Sequence, residues 1–86
     1  MVKRDGAYRE IVAQIVMGQD SMGRPKRQVR PVAGQGLDTS LNIECARKLR
    51  EDNPIGTKFQ MRVQLTDMEG TLFLYSYFGW PVEIVL

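Results

Sequence analysis

The sequence predicts a single α+β domain over residues 1–86. Its core is a strongly bent antiparallel sheet or partial barrel of about five strands with one helix, in the order β-β-α-β-β-β. Three observations predict it. In KFQMRVQLT (58–66), Phe59, Met61, Val63 and Leu65 alternate with Lys58, Gln60, Arg62 and Gln64, as in a strand with one buried and one polar face. YREIVAQIVM (8–17) carries the β-branched residues Ile11, Val12, Ile15 and Val16. DTSLNIECARKLRED (38–52) places Leu41, Cys45, Ala46 and Leu49 on one stripe at helical spacing.

The elements follow in order. YREIVAQIVM is the first strand, and GQDSMGRPK (18–26), with two glycines, a proline and turn-forming Asp and Ser, is a loop. RQVRPV (27–32) returns as a second strand, and Pro31, which lacks an N–H, puts it at an edge or a strand end. AGQG (33–36) breaks the pattern. The helix over 38–52 has Asp38, Thr39, Ser40 and Asn42 as candidate caps, and Asn53-Pro54 stops it. The spacings Glu44–Lys48 and Arg47–Glu51 set opposite charges together on its exposed face. DMEG (67–70) is a tight hairpin connection into TLFLYSYF (71–78); GWP makes a break, and VEIVL (82–86) is a last short strand.

Register decides which aromatics face outward. With 67–70 as the loop, Leu65 lies opposite Leu72 and Phe59 opposite Phe78, and Phe73, Tyr75 and Tyr77 share a face with Gln60, Arg62 and Gln64. A one-residue bulge at Gly70 flips that parity. In either register a large apolar set needs a cover on the polar face of 58–66. The first hairpin or a barrel closure would serve, as would a second subunit, or stacked bases with Arg62 and Lys58 reaching phosphates.

Composition narrows the chemistry. Hydrophobic content of 43% and charged content of 26% suit one soluble globular domain, although a chain this small hides only roughly 60% of its unfolded surface. No stretch approaches the roughly 18 apolar residues of a membrane span, and no h-region follows MVKRDGAYRE, so a cytoplasmic location is expected. There is no histidine, which removes the commonest neutral-pH base and metal ligand. The single Cys45 cannot form an internal disulfide or a zinc site, and on the helix stripe it reads as a core thiol. The expectation is a non-enzymatic protein without cofactor or metal.

Residues 1–32 hold seven Lys/Arg against three acids, and residues 33–86 five against seven. That asymmetry suits a nucleic-acid contact, or an oligomer whose subunits meet end to unlike end. RPKRQVR (24–30) concentrates Arg24, Lys26, Arg27 and Arg30, either a phosphate-tracking arm or an edge strand guarded by charge. Gly34-Gln35-Gly36 lacks the third glycine and the parallel setting of a phosphate loop and reads as a flexible turn.

RKLREDNPIGTKF (47–59) together with YSYFGWP (75–81) resembles small uncharacterised bacterial proteins carried on mobile integron gene cassettes. The resemblance implies a compact bacterial cytoplasmic protein that self-associates. It transfers no catalytic or binding motif.

The leading functional reading is an interaction module forming a homo-oligomer, a dimer or tetramer, through Phe73, Tyr75, Tyr77, Trp80, Val82 and Ile84. The alternative is a nucleic-acid-binding protein using Arg24, Lys26, Arg27, Arg30 and Arg62. A second alternative is a barrel with an apolar pocket for a small molecule.

Overall fold

The computed structural model describes residues 2–4, 8–68 and 70–85. Leu86 of the predicted last strand and Glu69 of the predicted turn lie outside the described residues. The elements are β1 (Val2–Arg4), β2 (Arg9–Gln19), β3 (Pro25–Pro31), β4 (Ile43–Glu44), α1 (Arg47–Glu51), β5 (Lys58–Met68), β6 (Thr71–Tyr75) and β7 (Val82–Val85). The fold is α+β, a bent sheet with one short helix, and the sheet does not close into a barrel. Among the described residues the sheet is open, not the closed barrel that the small-molecule reading pictured.

The seven strands are arranged around β5. On one edge β5 pairs antiparallel with β2, from Lys58 opposite Gln14 to Val63 opposite Arg9, and then with β1 at Thr66–Met68. On the other edge it pairs with β7, from Lys58 opposite Val85 to Met61 opposite Val82, and then with β6 at Gln64–Met68. β3 extends the sheet beyond β2, and β4 extends it beyond β6. The β4–β6 pair is parallel, so the sheet is mixed rather than wholly antiparallel.

Alternation builds the core. Ile11, Ala13 and Ile15 of β2, Val29 of β3, and Phe59, Met61 and Val63 of β5 bury the same face completely, joined by Leu74 and Ile43. Leu37, Leu41, Cys45 and Leu49 from the crossing segment pack against this set. The period-two rhythm of β5 breaks beyond Val63: Leu65 is half-buried while Thr66 is fully buried.

Four expectations are corrected. The helix predicted over 38–52 is confined to Arg47–Glu51. Asn42 and Glu44 give their carbonyls to Leu74 N–H and Ser76 N–H, and β-branched Ile43 enters the core as part of a strand. Asp38 accepts from Ser40 N–H and Ser40 Oγ in a turn instead of capping the helix. Of the two charge spacings only Arg47–Glu51 meets, at 3.8 Å, and Glu44 instead accepts from Asn42.

The second correction is the hairpin. Met68 pairs with Thr71, leaving two positions between them, so Leu65 faces Leu74 and Phe59 faces Ile84. Asp67 accepts from Gly70 N–H and Gly70 sits at φ +83°, the left-handed geometry that glycine adopts without strain. The parity is that of the loop register, with Tyr75 beside Gln64 and Phe73 beside Thr66. Third, the first loop shrinks to 20–24 because β2 runs on to Gln19. Fourth, strand 71–78 ends at Tyr75.

Gln35 is no part of a flexible turn. Its side-chain amide accepts from Val12 N–H at 2.7 Å and donates to Val12 C=O at 2.7 Å and to Val32 C=O at 2.8 Å. Beyond Pro31 the backbone adds one more bond, Val32 N–H to Val12 C=O at 3.0 Å, and the Gln35 amide oxygen supplies the acceptor for Val12 N–H that a continuing strand would have given. Flanking Gly34 and Gly36, at φ +91° and +78°, let the chain deliver it. Gln35→Ala leaves the part-buried Val12 N–H without its acceptor and is expected to cost about 1–3 kcal/mol. Urea denaturation of the variant checks it.

Candidate interaction surface

The surface originates in a mismatch of chain lengths. Tyr75 faces Gln64 and Val82 faces Met61, so the six residues 76–81 span the two positions Arg62 and Val63. Four residues are surplus and leave the ladder. Ser76 stays buried through its N–H bond to Glu44 C=O, and the chain then turns, with Trp80 N–H donating to Tyr77 C=O at 3.0 Å. Gly79 permits the turn: a Cβ there would lie 2.6 Å from the Tyr77 ring.

The turn gathers aromatics around Trp80. Its ring centroid lies 5.6 Å from Tyr8, 6.0 Å from Tyr77 and 6.3 Å from Tyr75, and Tyr77 lies 4.7 Å from Phe78. The Arg62 guanidinium sits 4.7 Å above the Tyr8 ring and 5.9 Å from Trp80, where the ring faces attract a cation. Glu10, directly across the strand, approaches Arg62 to 3.8 Å and accepts from Gln60. Arg62 Nε is buried with no hydrogen-bond partner among the described residues, so ring contacts hold this side chain more than hydrogen bonds do.

The cluster covers the polar face of β5 only in part. Tyr8 is 54% exposed, Tyr77 43% and Phe78 78%. A groove of about 180 Å³ runs between Cys45, Ala46 and Leu49 on one side and Tyr77, Phe78 and Trp80 on the other. It adjoins a groove of about 270 Å³ that shares Cys45, Ala46, Ser76 and Phe78. Burial pushes the Cys45 thiol up to about 11, with Glu44 adding to the rise and Arg50 opposing it.

The residues expected at an oligomer interface are divided. Tyr75, Tyr77 and Trp80 meet in the cluster. Phe73 stands apart, beside Thr66, where it lines a shallow hollow with Glu44, Met68 and Thr71. Val82 faces the core opposite Met61. Ile84 pairs with buried Phe59 yet is 55% exposed, because β7 is the outermost strand there. Tyr8 and Phe78 were not singled out by sequence. Tyr8 offers no local signal, lying far from the C-terminal aromatics along the chain.

The basic set is also dispersed. Arg24 closes the 20–24 turn on Asp20 at 3.0 Å, and Arg24 N–H, foremost among several donors, holds the Asp20 carboxyl below its usual range. Arg27 donates to the carbonyls of Arg50, in the last turn of α1, and of Asn53 just past it. Lys26 and Arg30 lie on the opposite face of β3 from Val29, and Arg30 donates to Gln28. Across Gln14, Arg30 is in row with Lys58. Arg62 belongs to the aromatic cluster.

Among the described residues no group of three or more His, Cys, Asp or Glu could hold a metal ion, and no helix is long and apolar enough to cross a membrane. Compared with protein-family models, curated proteins and solved structures, the chain matches none. A thiol at about 11 is overwhelmingly protonated near neutrality and a poor nucleophile. Alkylation of Cys45 by iodoacetamide is expected to be slow at pH 8 in the folded protein, to accelerate toward pH 11, and to be fast at pH 8 in urea; mass spectrometry over time checks it.

Proposed function

We propose that this protein is a non-enzymatic interaction module that self-associates through its C-terminal aromatic surface. The observation carrying the reading is Phe78, 78% exposed at the tip of a turn that four surplus residues push out of the sheet, with Tyr77, Ile84 and Val85 exposed along the same stretch. Contiguous exposed apolar surface of this kind marks contact sites, and a small chain gains most from sharing core with a copy of itself. The lack of histidine supports a role without acid–base chemistry. The setting proposed with it is the bacterial cytoplasm, drawn from the cassette-protein resemblance and from a lone thiol that a reducing compartment suits.

A nucleic-acid reading has one observation in its favour. Lys26, Arg30, Lys58 and Arg62 alternate onto the sheet face away from the core, against Glu10 and Glu83. The salt bridge and ring contacts of Arg62 weaken it.

Light scattering at micromolar protein is expected to give a mass above the 9.8 kDa of one chain. Tyr77→Ser with Phe78→Ser should lower the mass toward one chain without changing the circular dichroism. A strictly monomeric parent overturns the proposal. Retention of single-stranded nucleic acid at low salt, lost in Lys26→Ala with Arg30→Ala, would move the reading to the second.

A further inference from the structure

The two outer strands that flank β2 and β5 differ in what protects them. β3 begins and ends with proline and carries Lys26, Arg27 and Arg30, all obstacles to another strand pairing on it. β7 reads Val-Glu-Ile-Val, with Pro81 before it and one charge within it. Among the described residues its outer edge pairs with nothing. A short apolar edge strand with its backbone groups open is a template for another strand.

We infer that the outer edge of β7 is the backbone joint of the self-association proposed above, with the exposed aromatic turn that leads into β7 adding apolar contact at its flank: β7 pairs antiparallel with β7 of a second copy about a two-fold axis at Ile84. The inference rests on that reading and adds its geometry. Residues directly opposite in an antiparallel pair point to the same face, so a joint that keeps both cores on one side of the sheet pairs even positions with even ones; within the described residues of β7, the registers that pair Ile84 set it opposite Ile84 or Val82 of the copy. Pairing Ile84 with Val82 sets the two Glu83 carboxylates against each other, which is unfavourable. Pairing Ile84 with Ile84 sets Glu83 opposite Val85 of the copy. Val85 is itself opposite Lys58, so Glu83 and Lys58 of the copy share a row about 10 Å apart at strand spacing, across which their long side chains can meet. Ile84 is beside buried Phe59 and 55% exposed, so its counterpart extends the core across the axis. The closed two-fold makes a dimer.

Disulfide trapping tests the register. In a Cys45→Ser background, Ile84→Cys is expected to form a covalent dimer under mild oxidation, because the two residues face each other at the axis. Glu83→Cys is expected to form little, since its two copies lie beyond the roughly 7 Å that a disulfide spans. In the unmodified protein, exchange of the Val82–Val85 amides should slow as concentration rises. A monomer by light scattering overturns both the inference and the reading beneath it. An oligomer that is trapped through Phe78→Cys but not Ile84→Cys, with concentration-independent exchange at Val82–Val85, overturns the β7 joint alone.

Discussion

Strand β5 carries backbone pairing on both edges along most of its length, and on each edge two separate pieces of chain provide it, with a break between them. β2 and β7 flank its first part, β1 and β6 its second. The partners on both edges change over near residues 62–65, where the burial rhythm of β5 also loses its period. A strand that bends from one group of neighbours into another needs extra residues on its partners, as bulges do on a smaller scale. Opposite this bend the 76–81 segment supplies four surplus residues, and these become the aromatic turn. The exposed surface is thus a consequence of the bend. Trp80 and Arg62 meet because both stand at the point where the ladder is interrupted.

The core and the aromatic cluster divide β5 between them. Its odd positions 59, 61 and 63 are fully buried against β2, β3 and the crossing segment. Arg62, between two of them, turns to the other face and lies over Tyr8. An arginine stem can cover apolar surface while its charged head stays near water and a carboxylate, and Glu10 supplies the carboxylate here. The side chains that the C-terminal strand cannot bury are therefore sheltered partly by one residue just before β2, one from β5 and one from the turn. This shelter stops short of Phe78.

The parts legible in the sequence were those where local pattern and tertiary role coincide. One face of β2 and one of β5 meet the core, and period two was enough to find β5 while β-branched residues were enough to find β2. The helix was overextended because Leu41, Cys45 and Leu49 do pack inward, at a spacing that also suits a helix; what separates the cases is Ile43 pairing beside Leu74, a contact set by the distant strand β6. A two-residue strand such as β4 has no period to detect. Alternation left the hairpin parity open between the loop and the Gly70 bulge, and the loop length was misjudged, since Asp67 serves the turn through its side chain while its backbone remains in β5. Tyr75, Tyr77 and Trp80 were conspicuous as an aromatic run. Tyr8 was invisible because only the pairing of β2 with β5 brings it to Trp80. Gln35 was missed because a side-chain amide standing in for a backbone leaves no pattern.

The uneven spread of charge along the chain becomes intelligible once the edges are placed. β3, with Lys26, Arg27 and Arg30, and β7, with Glu83, bound the same four-strand stretch at opposite sides. Attraction alone would favour β3 of one copy against β7 of the next. That head-to-tail joint repeats from copy to copy, and unless its rotation closes a ring the repetition makes fibres. Pro25 and Pro31 each remove an N–H, and the Arg27 side chain is committed to the carbonyls of Arg50 and Asn53. The basic edge attracts the acidic one at a distance yet is poorly built to pair with it. Of the two edges, β7 is the one whose backbone can be extended, and a copy of itself is the partner that ends the extension after one step.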